Sequence, residues 1–328
     1  MKEPVAAVPV LLVGGFLGAG KTTFINYLLG EAQDEAIAVV VNEFGSLGID
    51  GALIRRSEDG VVQLTNGCIC CEVNASLAQT VTDLLRKRQR WWRPLRFSRI
   101  VVELSGLASP GPVAQTFLIE PALRAQTALT GLVILAHAKK LANQLETHPE
   151  AVHQLAMADK VLINHCDRVE KMELTGVKEI VERQNPLAAV YATEYGAVDL
   201  SELWNRREGA WPPDRNTDHV HSDVQCISLS TTETLDIHQL KMYIQFLMTR
   251  HKDRILRVKG VFRCAEIDRA VVAQGVYQWL QLGPGKTERP KQSRFVVLGT
   301  DLYDEEIRRG WSLLTTMHAA VDPIEIGG

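Results

Sequence analysis

Gly15-Phe16-Leu17-Gly18-Ala19-Gly20-Lys21-Thr22 decides the fold. The run satisfies GxxxxGK[ST] in full, and its flanks come in the order that motif needs. Residues 8–13, apolar and rich in branched side chains, read as a buried parallel strand with Pro9 tolerated near its start. Residues 23–30 read as a helix closed by Gly30. Gly15, Gly18 and Gly20 allow backbone N–H groups to converge on phosphate oxygens, and the helix N-terminus adds its positive dipole end. Lys21 reaches the outer phosphates and Thr22 ligates Mg2+. The plain alternative is a glycine-rich turn with no ligand, and a complete motif between strand and helix argues against it.

Working outward, residues 37–41 form a second buried strand that ends at Asn42-Glu43-Phe44-Gly45. Residues 99–103 form a third, which ends in Glu103-Leu104-Ser105-Gly106. Strands alternating with helices predict an α/β domain on a mainly parallel sheet, which binds ligands beyond the carboxyl ends of its strands. Glu43 and Glu103 both fall there. Each is placed to hold Mg2+ through water or to orient an attacking water, the alternative being a carboxylate that caps a neighbouring helix or loop.

Residues 129–135 and 160–163 read as two more strands, the second running into Asn164-His165-Cys166-Asp167. In that place an Asn-x-x-Asp box selects guanine, because Asp167 accepts from N1–H and the exocyclic amine, which adenine cannot supply. His165 stands where a lysine stem usually covers the base, so an imidazole is expected to stack there. A strand-end Asx turn is the plain alternative. Order along the chain favours GTP, since residues 190–193 form a further strand whose end can present backbone to the base.

Cys68, Cys70 and Cys71 lie between a strand at 61–64 and a helix from about 74 to 90. A helix N-terminus favours thiolate over thiol, and thiolates bind borderline ions such as Zn2+. Three ligands leave a fourth position open for water, Glu43 or a group from a client protein, which fits a carrier better than a closed structural site. A reversible dithiol switch and a set of small buried hydrophobes are the other readings of the same residues.

The 328 residues carry a formal net charge of −3, which argues against nucleic acid as a general partner. No N-terminal stretch has the form of a signal peptide or a membrane span, so a cytoplasmic protein is expected. In such a compartment six cysteines do not make a disulfide framework. The basic run from Arg86 through Trp91 and Trp92 suits the C-terminus of a helix whose Trp pair anchors the next turn to the core. It also suits a contact with a client or a second copy. Residues 1–210 are read as the nucleotide domain, 211–222 as a linker and 223–328 as a smaller α+β domain on an antiparallel sheet. That last part is expected to hold strands at 224–229, 254–263, 270–280 and 294–299, and helices at 235–250 and 304–318.

Together, the phosphate loop with Thr23, Asn42-Glu43-Phe44-Gly45, Gly67-Cys68-Ile69-Cys70-Cys71, Glu103-Leu104-Ser105-Gly106 and Asn164-x-x-Asp167 resemble the CobW family of metallochaperone GTPases, of the CobW/HypB/UreG class. The resemblance spans essentially the whole chain, because Arg257-Val258-Lys259-Gly260 and Phe295-Val296-Val297-Leu298-Gly299 are similar to the family's C-terminal domain. It implies a carrier of Zn2+, Co2+ or another transition metal, which delivers its ion to a client metalloprotein and is reset by slow, Mg2+-dependent GTP hydrolysis. On that likeness Lys21, Thr22 and Thr23 attend the phosphates and Mg2+, Asn164 and Asp167 read the base, and the three cysteines hold the metal. A small-molecule kinase and a redox-regulated GTPase remain the alternative functions. His165-Cys166 departs from the family's usual Lys-Thr or Lys-Ser.

Overall fold

The computed structural model describes residues 7–32, 36–42, 61–64, 72–89, 91–92, 95–204 and 224–316. The chain divides into two compact units, residues 1–207 and 208–328. Glu43, the three cysteines and the segment expected as a linker lie outside the described residues.

In the first unit β1 (Val8–Gly15) passes through the glycine loop into α1 (Lys21–Glu31). β2 (Ile37–Asn42), β3 (Val61–Leu64), α2 (Glu72–Arg88) and β4 (Arg99–Leu104) follow. Next come α3 (Pro110–Ile119), α4 (Pro121–Gln126), β5 (Thr127–His137), α5 (Leu141–Thr147) and α6 (Pro149–Met157). β6 (Lys160–Asn164), α7 (Lys171–Gln184), β7 (Ala189–Ala192) and α8 (Leu200–Trp204) complete it. The seven strands lie in the order β3-β2-β4-β1-β5-β6-β7, all parallel.

β1 sits at the centre, and Val10, Leu11, Leu12 and Val13 are wholly buried because helices cover both faces. On one face Phe24, Ile25 and Leu28 of α1 pack with Leu11, Val13, Val39, Val101, Val133 and Leu162. On the other, α3 and α6 lie against β1 and β5.

Several expected boundaries move. The first helix begins at Lys21, and Gly30 lies inside it, the cap residue being Ala32. Nothing about Gly30 demands a positive φ, so glycine there does not end the helix. Arg86, Lys87 and Arg88 do occupy the last turn of α2, where cations oppose the helix dipole. The Trp pair does not anchor to the core. Trp91 is 91% exposed and Trp92 67%, edge to face with each other at 5.7 Å.

The second unit holds β8 (Val224–Thr231), α9 (Ile237–Arg250), β9 (Ile255–Phe262), β10 (Arg269–Val276), β11 (Trp279–Glu288), β12 (Ser293–Thr300) and α10 (Asp304–Thr316). Its sheet is antiparallel in the order β11-β10-β9-β12-β8. The single strand expected at 270–280 is a hairpin, with Val276 paired to Trp279 across a tight turn and Tyr277 at φ 50°. The turn carries no glycine or asparagine, so the alternation of the sequence runs straight through it. α9 starts where Asp236 Oδ1 accepts from the Gln239 N–H at 2.8 Å. Phe262, Phe295 and Trp311 form the aromatic centre of this core, with ring centroids 5.8–6.4 Å apart.

Candidate functional site

A parallel sheet carries its loops at the carboxyl ends of the strands, and here those ends gather the phosphate loop, Glu103, the loop after β5 and the Asn164–Asp167 turn. The phosphate loop is shaped by three glycines at positive φ: Gly15 at 139°, Gly18 at 77° and Gly20 at 96°. A Cβ on Gly15 would strike the Leu135 carbonyl, and one on Gly20 the Asn164 amide, so both positions need glycine for clearance as well as for backbone conformation. Ala19 N–H closes the turn on the Phe16 carbonyl at 3.1 Å, and Phe24 N–H starts the helix on the Gly20 carbonyl at 2.9 Å. Lys21 Nζ donates to the Gly15 carbonyl at 2.9 Å, so the ammonium arches over the loop's mouth.

Thr22 Oγ1 donates to Glu103 Oε1 at 3.4 Å. Glu103 is only 6% exposed at the end of β4, directly beside β1. A hydroxyl and a buried carboxylate at a phosphate loop are hard oxygen donors, the set that Mg2+ takes. Thr23, the next residue, faces solvent. Beyond Glu103 the chain is pinned by Gln154 of α6, whose Nε2 donates to the carbonyls of Gly106 and Ala108, each at 3.0 Å. Gly106 in turn packs against Leu17 of the phosphate loop, with no room for a Cβ.

The Asn-x-x-Asp box divides its labour. Asn164 is wholly buried, its Nδ2 donating to the Ala19 carbonyl at 3.1 Å and its Oδ1 accepting from Gly196 N–H at 3.0 Å. It therefore staples the phosphate loop to the turn after β7. Gly196 itself lies against Phe24 of α1 at φ 77°. Asp167 is exposed on a short 3-10 turn, 3.8 Å from Arg168 Nε, and so free to meet a base edge.

His165 adopts φ 64°, a left-handed conformation that histidine, like asparagine and aspartate, takes more readily than other side-chain-bearing residues. Its ring stacks on His137 at the end of β5, centroids 4.4 Å apart and planes 28° from parallel. Burial lowers the pKa of both imidazoles, helped for His137 by His165, Lys140 and Arg168, and for His165 by Arg168, so both rings are neutral near pH 7. Burial likewise pushes the Cys166 thiol up, so in the metal-free protein it stays protonated near pH 7.

Two residues here carry no motif. Gln154 lies in an unremarkable amphipathic helix, and the only trace of His137 is its place at a strand end, two residues past the expected limit of β5. Among the described residues no three His, Cys, Asp or Glu side chains gather into a metal site. No helix among them is long and apolar enough to cross a membrane.

Residues 9–192 match the model of the CobW/HypB/UreG nucleotide-binding domain, and residues 224–314 that of the cobalamin synthesis protein CobW C-terminal domain. The zinc chaperone YjiA of Escherichia coli is 30% identical over 93% of this chain and 98% of its own length. The zinc-regulated GTPase metalloprotein activator 1 of Schizosaccharomyces pombe is also 30% identical, over 93% of this chain and 83% of its own. The crystal structure of Zn(II)-bound YjiA GTPase from E. coli is similar with a TM-score of 0.72 at 25% identity, covering 94% of this chain and 99% of that one. With a phosphate loop held as described and both family domains in sequence, the chain belongs to the CobW/HypB/UreG family.

Proposed function

We propose that this protein is a GTP-dependent metallochaperone: it binds Zn2+, or Co2+ in its place, at Cys68, Cys70 and Cys71, hydrolyses GTP slowly and hands the ion to a client metalloprotein. The observation that carries the nucleotide half is the stapling of Ala19 by Asn164, which joins the phosphate loop and the Asn-x-x-Asp turn into one site. The metal half is supported by the three clustered thiols in the sequence and by relatives named zinc chaperone.

In this reading Gly15, Gly18 and Gly20 cradle the phosphates, Lys21 neutralises their charge, and Thr22 with Thr23 completes the loop. Thr22 and Glu103 are the residues that would hold Mg2+, which offsets phosphate charge when bound. Glu103 and Glu43 are the candidates to orient the hydrolytic water, and Asp167 reads the guanine edge. A cytoplasmic cycle fits this reading, because thiols stay reduced there.

The test is an anaerobic Zn2+ competition titration of the full chain, with and without Mg2+ and a nonhydrolysable GTP analogue. Zinc affinity is expected to depend on nucleotide and to collapse in Cys70→Ser. Wild-type, nucleotide-dependent affinity in Cys70→Ser would sink the assignment of the cysteines, and affinity indifferent to nucleotide would sink the coupling.

A further inference from the structure

The two imidazoles at the ends of β5 and β6 are the part of the nucleotide site that the family motifs leave unexplained. His165 lies against the phosphate loop: its Nε2 is 3.6 Å from where a Cβ on Gly20 would stand, and the nearby Gly18 backbone favours its charged form. One ring face is taken by His137, and the residue as a whole is half-buried.

His137 is itself held firmly. Its Nδ1 accepts from the Lys139 backbone N–H at 3.2 Å, which fixes the ring plane and leaves any ring proton on Nε2. Its backbone pairs in register with Asn164, one residue before His165, and Ala138 N–H donates to the Asn164 carbonyl at 2.9 Å. Only 6% of His137 is exposed, so it cannot itself offer a face to a ligand in solution. The charged groups facing the pair are Arg168 and Asp167 from the 3-10 turn and Lys140 from the loop after β5. The cations disfavour a charged ring.

We propose that His137 is a positioning residue for purine recognition: it backs the His165 ring, which clasps the phosphate loop and turns its remaining face to the base. The inference rests on the guanine-nucleotide reading above. It explains how a chain with His165 in place of a lysine stem keeps a rigid base platform. An imidazole alone, on a residue at positive φ, has few contacts to hold its plane, and a stacked, buried second ring supplies them. It also makes the dependence one-sided, since His137 is fixed by its own hydrogen bond whereas the His165 ring takes its orientation from His137.

The experiment is fluorescence titration of the full-length protein with N-methylanthraniloyl GDP and ADP at pH 7.5, using His137→Ala, His137→Phe, His165→Ala and the His137→Ala/His165→Ala double variant. Thermal melting verifies that each is folded. His137→Ala is expected to lower GDP affinity about tenfold, toward the lower end of what base stacking on an aromatic ring contributes. His137→Phe, which keeps a ring to stack on, is expected to stay within about threefold of wild type, below what losing a stacked ring costs. The double variant should bind no more weakly than His165→Ala, because His137 acts through His165.

Additive losses in the double variant, or a His137→Ala protein with wild-type GDP affinity, would overturn the inference. A wild-type protein that binds no guanine nucleotide fails the underlying reading instead, so the two failures are distinct. A second readout follows the ring protons by NMR as pH falls. Both should titrate below 6.5 in the wild type, and His165 should move toward that ordinary value in His137→Ala.

Discussion

Replacing Asn164 by alanine separates architecture from recognition within one four-residue box. The side chain makes two well-formed hydrogen bonds, to the Ala19 carbonyl at 3.1 Å and from Gly196 N–H at 3.0 Å, and a marginal one from Thr193 Oγ1 at 3.5 Å. Ala19 and Gly196 are both buried, so truncation orphans one acceptor and one donor. Each orphan costs about 1–3 kcal/mol, and a water drawn into the vacated space recovers part of it, which leaves a net loss of about 3 kcal/mol. Asp167 is the control. Its 3.8 Å pair with Arg168 is exposed, and removing it costs under about 0.5 kcal/mol.

The assay is native-state hydrogen exchange of the full chain, read on peptides covering β1 and β6, with β9 of the second unit as an internal reference. Asn164→Ala should accelerate exchange in β1 and β6 by about two orders of magnitude at unchanged β9, whereas Asp167→Ala should leave all three untouched. Asp167→Ala should instead lose about a hundredfold in GDP affinity, as expected when charged hydrogen bonds to the base edge are removed. Unaltered exchange in Asn164→Ala would refute the staple, and so would a matching acceleration in Asp167→Ala.

Three further outcomes follow from particular residues. Gly15→Ala forces a Cβ onto the Leu135 carbonyl at φ 139° and should abolish nucleotide binding measured by fluorescence titration, while the second unit keeps its exchange protection. His251, only 1% exposed with neither ring nitrogen hydrogen-bonded, has its pKa lowered below 6.5 first by burial, then by Arg250 and Arg254, with Glu306 opposing. The fold accepts its neutral form, so this contribution is complete above pH 6.5 and is lost as pH falls from there through the lower pKa of the folded state. Melting of the wild type should therefore drop more steeply between pH 7.5 and 5.5 than melting of His251→Phe. Burial pushes the thiols of Cys226 and Cys264 up to about 12, so iodoacetamide at pH 7.5 should leave both unlabelled in the folded protein, by peptide mass spectrometry.

The nucleotide half of the fold was legible because its chemistry is local. A phosphate loop needs glycine at fixed offsets, and a buried parallel strand needs a continuous apolar run, so Gly15 to Thr22 and Val10 to Val13 declare themselves. What stayed hidden depends on contacts across the sheet. His137 acquires its neighbour only when β5 and β6 pair in register, and Gln154 reaches Gly106 and Ala108 across 48 and 46 residues of chain. The β10–β11 hairpin was hidden for the opposite reason. Tyr277 takes a positive φ without the residue types that announce one, and tertiary pairing overrides the local preference.

The strand order fixes a sequence of stations along one edge of the sheet. From the outer strand inward the carboxyl ends offer Leu64, which leads to the thiols, then Asn42, which leads to Glu43, then the Glu103 strand, the phosphate loop, His137 and Asn164. Leu64 stands three strand spacings from Gly15, about 14 Å at ordinary sheet geometry. Between those two strand ends lie the carboxyl ends of β2 and β4, and the turn that carries Asn164 and Asp167 lies on the far side of β1. The Leu64 end and the Asn164 end thus stand on opposite flanks of the phosphate loop, so a substitution at one strand end need not disturb the other.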